Sequence, residues 1–123
     1  AQQAGGTAYV YRFDRIREGF DAIGAYHGAE LPYVFDTHDP WMPTNAVDQQ
    51  VTDALVDYWV AFLTSGSPNK SQSGDSEITG AVWPAWAHQQ QVIVIADEVL
   101  TQAHPDAALC EFLNAAQVAS ARH

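Results

Sequence analysis

The longest regular pattern along the chain runs from Ala46 to Ser65. Val47, Val51, Ala54, Leu55, Tyr58, Trp59, Phe62 and Leu63 recur at helical spacing as a broad apolar stripe, which predicts a helix over 46–65. Asn45 is placed to cap it, Asp48 and Asp53 suit its positive end, and Gly66 followed by Pro68 stops it. Two other stretches carry strand patterns. Thr7 to Phe13 is β-branched and aromatic, with Tyr9, Tyr11 and Phe13 on one face and Ala8, Val10 and Arg12 on the other. Gln91 to Ala96 is a short apolar run that suits a strand buried on both faces. A short helix fits Gly28 to Phe35, where Pro32 permits only the first turn, and Pro105 opens a last helix with Leu109, Phe112, Leu113 and Ala116 on one side. Asp14–Tyr26 and Asp36–Thr44 are loops, and the breaker-rich segment at about 67–80 is expected to be a mobile surface loop.

Strand, loop, helix, polar loop, strand, helix is α/β alternation. Two strands make no stable open sheet, because their unpaired edges invite association. The chain is therefore expected to complete a larger sheet supplied by other residues.

Composition narrows the partners. The 123 residues amount to one domain, 47% hydrophobic, with a net charge of −10 and only five Lys plus Arg. Such acidity repels phosphate backbones and anionic lipid, so neither nucleic acid nor an anionic membrane is an expected partner. No run is long and apolar enough for a membrane-spanning helix. Cys110 is the only cysteine, which precludes an internal disulfide, and its apolar neighbours predict a small buried hydrophobe. Trp41, Trp59, Trp83 and Trp86 read as core or interface packing rather than as a ligand platform. Asp36, His38 and Asp39 match no strong metal-ligand spacing and read as solvated loop; no metal and no cofactor is expected. His104, just before Pro105, is set to cap a helix, whereas His88 and His123 are scattered.

The candidate chemistry lies in the stretch from Gly24 to Phe35, where His27 sits between two glycines and leads into the short amphipathic segment. By its residues alone His27 is an ordinary loop histidine, though an imidazole so placed is capable of general base and acid work at neutral pH. Gly24 and Gly28 allow the sharp bends that present it. Glu30, three residues on, reads as a structural residue at the start of the short helix, and Tyr26 as a substrate-pocket candidate.

Several landmarks occur together and in order: the strand Thr7 to Asp14, Ala25-Tyr26-His27-Gly28-Ala29-Glu30-Leu31-Pro32-Tyr33-Val34-Phe35, Tyr58-Trp59 with the exit Gly66-Ser67-Pro68-Asn69, Trp83-Pro84, Val92 to Ile95, and Leu109-Cys110-Glu111-Phe112. This set resembles the type-B carboxylesterase family, the cholinesterase-like branch of the α/β-hydrolases. The resemblance implies the C-terminal part of an α/β-hydrolase fold, incomplete alone, covering roughly the last quarter of such an enzyme. It implies a carboxylic-ester hydrolase working by a Ser-His-acid triad, with His27 as general base. The sequence holds no Gly-x-Ser-x-Gly. The implied partner is thus an N-terminal segment bringing serine, acid and oxyanion hole, and the implied substrate a small-molecule carboxylic ester. The family also includes members that bind partners without catalysis, as cell-adhesion proteins do, which makes a non-catalytic binding module the alternative.

Overall fold

A computed structural model describes residues 6–69, 80–86 and 90–120. In chain order its elements are β1 (Tyr11–Phe13), α1 (Leu31–Val34), α2 (Ala46–Ser65), β2 (Gln91–Ile95), β3 (Val99–Ala103) and α3 (Ala107–Ser120). Helix α2 has the bounds its sequence predicts, because both ends are encoded locally. The Asn45 side chain accepts from the backbone N–H groups of Val47 and Asp48, while the Asp48 carboxylate accepts from the Asn45 N–H, a reciprocal cap. Gly66 ends the helix at φ 75°, its N–H donating to the Phe62 carbonyl at 2.8 Å.

The sheet has the order β1-β2-β3. Strand β1 runs parallel to β2, pairing Tyr11 with Ile93 and Phe13 with Ile95, and β2 runs antiparallel to β3. A parallel pair needs a crossover, and the α1–α2 region supplies it. The sequence reading missed β3. Its residues have no strong strand pattern, and it forms because a tight turn, with the Ala96 N–H donating to the Glu98 carbonyl at 3.1 Å, returns the chain along β2. The strand expected over 7–13 is regular only over its second half. Tyr9 instead forms a single antiparallel bridge with Ala85, and the Trp86 N–H donates to the Ala8 carbonyl.

The core gathers Tyr33 of α1, Val51, Leu55 and Tyr58 of α2, Trp83, and Ile93 and Ile95 of β2. The expected face of Tyr9, Tyr11 and Phe13 packs against it. Rings meet edge-on or tilted, Tyr11 on Trp59 at 5.3 Å and Trp59 on Trp83 at 5.2 Å. Trp59 and Trp83 are thus packing residues as expected, but Trp41 is 69% exposed and contributes nothing to this core. The Asn69 side chain brackets Trp83, accepting from its N–H and donating to its carbonyl, each at 2.7 Å, so the Gly-Ser-Pro-Asn exit and the Trp-Pro landmark form one structure.

Helix α3 begins at Ala107 rather than at Pro105. His104 closes the preceding turn, its Nδ1 accepting from the Asp106 N–H at 3.1 Å, which is the capping role expected of it. Cys110 is exposed, contrary to the buried position its apolar neighbours predict, and Leu109, Phe112 and Leu113 are each more than half exposed on the same helix. Most of the polar loop at 67–80 lies outside the described residues, as do His88 and His123.

Candidate functional site

The backbone leaves β1 with the Asp14 N–H donating to the Ile95 carbonyl at 2.7 Å, then enters the loop that carries His27. This loop starts at the carboxyl end of a parallel strand, where open α/β sheets hold their ligands. Two glycines shape it. Gly24 and Gly28 adopt φ 68° and φ 84°, in the left-handed region that costs a side chain about 1–2 kcal/mol. Between them, Tyr26 and His27 are exposed, and the Ala29 N–H donates to the Tyr26 carbonyl at 3.0 Å to close a turn around the histidine. Glu30 occupies the cap position of α1 without a side-chain cap bond. Burial, and then the Glu30 carboxylate, raise the pKa of the Tyr11 phenol above its ordinary value.

A polar network the sequence reading did not assemble lies beneath this loop. Arg15 and Arg17 follow β1 and are both buried. Arg15 donates from Nε to Asp48 Oδ1 at 2.9 Å, from Nη1 to Asp97 Oδ1 at 2.6 Å, and from Nη2 to Asn45 Oδ1 at 3.3 Å. Asp48 is fully buried and also accepts from the Tyr33 hydroxyl at 2.7 Å and the Asn45 N–H at 2.9 Å. Burial pushes the Asp48 carboxyl up, but the bonds from Asn45, Arg15 and Tyr33 outweigh it and hold the group below the ordinary carboxylate range. The Tyr33 phenol is pushed far up, first by burial and then by the Asp48 carboxylate.

Arg17 donates to the Pro43 carbonyl at 2.9 Å, to Thr44 Oγ1 at 3.0 Å and to His38 Nδ1 at 2.6 Å, and its guanidinium lies 4.5 Å from the Tyr33 ring centroid. His38, read from sequence as solvated loop, is instead half-buried, with its Nε2 at 2.8 Å from Thr52 Oγ1 and its ring edge-on to Tyr33. A narrow crevice over this network is lined by Arg15, Arg17, Phe20, Gly24, Tyr26, Ala29 and Tyr33, which joins Tyr26 to the buried arginines. The acid–base candidate thus stands on the surface of a loop whose underside is pinned by charge to the first turns of α2.

One sequence signal pointed to this network. Asp48 and Thr52 fall on the same stripe as Val51 and Leu55, where a solvated polar side chain is out of place. The two arginines, spaced by two in a chain with five cations, were the matching half.

The profile of the carboxylesterase family matches residues 1–113. The chain is 33% identical over 98 residues to phenmedipham hydrolase of Pseudarthrobacter oxydans, covering 72% of this chain and 18% of that protein. It is 32% identical over 76 residues to secreted lipase 5 of Gibberella zeae, covering 58% of this chain and 14% of the lipase. Among solved structures, PNB esterase superposes with a TM-score of 0.65 at 20% identity, over 85% of this chain and 21% of that one. The carboxylesterase of Geobacillus stearothermophilus gives 0.65 at 23% identity, over 87% of this chain and 22% of its own. The chain therefore has part of the α/β-hydrolase fold and spans about a fifth of the length of the proteins it matches.

Proposed function

The chain belongs to the carboxylesterase family, and from that premise we propose that it supplies the histidine general base of a serine-type carboxylic-ester hydrolase. The nucleophilic serine, the triad acid and the oxyanion hole come from an N-terminal segment of the same enzyme. The observation that carries this reading is His27 itself: an exposed imidazole in a turn between two left-handed glycines, in the loop that follows a parallel strand. Relatives named as a hydrolase and a lipase support hydrolytic chemistry.

In this mechanism His27 takes the serine proton as the serine oxygen attacks the acyl carbon. It then protonates the departing alcohol as the acyl-enzyme forms. Water attacks the acyl-enzyme, His27 accepts the water proton and returns it to serine, and the acid leaves. Tyr26, beside the base and over the crevice, contacts substrate. No metal or cofactor takes part. In the intact enzyme, His27→Ala lowers turnover of a simple aryl ester by on the order of 10³ or more while folding survives, since an exposed loop side chain is removed. Near-normal turnover in that variant would sink the assignment.

A further inference from the structure

The tautomer of His38 is dictated by its neighbours. Arginine carries only donors, so His38 Nδ1, at 2.6 Å from Arg17 Nη2, is an unprotonated acceptor. On the other side of the ring, Thr52 gives its single hydroxyl proton to the Asp48 carbonyl at 2.8 Å. The Thr52 oxygen therefore accepts from His38 Nε2–H. Both contacts select the neutral imidazole with its proton on Nε2. Arg17 in turn holds the loop after β1, and among the described residues its hydrogen-bond acceptors are all uncharged: Pro43, Thr44 and His38.

We propose that His38 is a positioning residue for the loop that carries His27: neutral, it clamps Arg17 to Thr52 on α2, and protonated, it releases Arg17 and loosens that loop. The catalytic consequence rests on the role proposed above for His27; the clamp itself does not.

Protonation would set a second N–H against the guanidinium across 2.6 Å, with no acceptor between them. The groups facing the ring are Arg17 from the loop after β1, Tyr33 from α1, Asp36 from its own segment, and Asp48 and Thr52 from α2. Burial and Arg17 disfavour the cation, Asp36 and Asp48 favour it, and the balance leaves the His38 pKa below the ordinary imidazole value. A depressed folded pKa fixes the sign. The stabilisation is complete above the ordinary value of about 6.5 and is lost as pH falls through the folded value.

Hydrogen exchange read by mass spectrometry on the intact enzyme, from about pH 8 to pH 4 and corrected for intrinsic rates, tests the clamp without an activity readout. Protection of residues 15–45 is expected to fall reversibly, on the order of tenfold, as His38 titrates. His38→Asn keeps an acceptor for Arg17 and cannot titrate, as does His38→Gln, so either variant is expected to hold its protection through that window. Constant protection in the unsubstituted enzyme, or the same acid step in both variants, overturns the proposal. Where both variants lose protection at every pH, nitrogen shifts of His38 decide: Nε2–H at neutral pH supports the clamp, and Nδ1–H or the cation overturns it. Normal turnover in His27→Ala would remove the catalytic reading and leave the exchange result to judge the clamp.

Discussion

At the residue scale the decisive group is Asp48. It was legible as an acid in the first turn of a helix, three residues after its cap, and that reading was correct. Its second role was not legible, because Arg15 lies 33 residues earlier and only the tertiary fold brings the two within 2.9 Å. A buried carboxylate with three donors is costly to disturb: removing one partner of a buried ion pair strands the other. Asp48→Asn is accordingly expected to destabilise the enzyme by about 3–5 kcal/mol, read as a lower urea midpoint at neutral pH. The same substitution flattens the acid limb. The depressed Asp48 pKa means its contribution is complete above the ordinary carboxylate value and lost as pH falls through the folded value, and asparagine has no such limb. An unchanged midpoint together with an unchanged acid limb would contradict the network. The exposed turn that holds Tyr26 and His27 was legible from the placement of Gly24 and Gly28, whereas His38 was misread, since nothing in Asp-Thr-His-Asp announces a buried guanidinium above it.

At the scale of elements, legibility followed the range of the interactions. Helix α2 carries its own stripe, cap and stop, so its bounds were read correctly. Strand β2 was read correctly from its apolar run, Val92 through Ile95 all being buried. Strand β3 owes its existence to pairing with β2 and was missed, and the Ala8–Tyr9 stretch pairs with Ala85–Trp86, which no local pattern foretells. Asn69 is the corresponding joint between elements. It follows the stop of α2 and fastens Trp83, whose indole Nε1 donates to the Val10 carbonyl at 3.0 Å before β1. Asn69→Ala leaves a mostly buried N–H and C=O of Trp83 without their partner. We expect a loss of about 1–3 kcal/mol, with red-shifted tryptophan emission as Trp83 meets water. Retained emission and an unchanged urea midpoint would show that the joint carries no weight.

At the scale of the molecule, the described residues leave many large apolar side chains open to solvent. Leu63 of α2 is 78% exposed and Phe112 of α3 is 67% exposed, and Trp41 and Phe35 are exposed as well. Strand β1 lies at one edge of a three-stranded sheet and offers its outer backbone groups for pairing. Exposed apolar side chains and an open sheet edge favour association. The net charge of −10 opposes that only over a screening length of about 10 Å at moderate salt. On the role proposed for His27, a base whose own sequence holds no Gly-x-Ser-x-Gly takes its proton from a serine supplied elsewhere. The chain by itself is therefore expected to scatter light as an associated species and to hydrolyse no aryl ester above the His27→Ala background. On the proposed function, supplying the proposed N-terminal segment in trans is expected both to suppress the association and to produce turnover. A folded, monodisperse 13.4 kDa species would show that these faces need no cover. Association relieved by that segment without any turnover would separate the fold from the activity and leave the binding-module reading in its place.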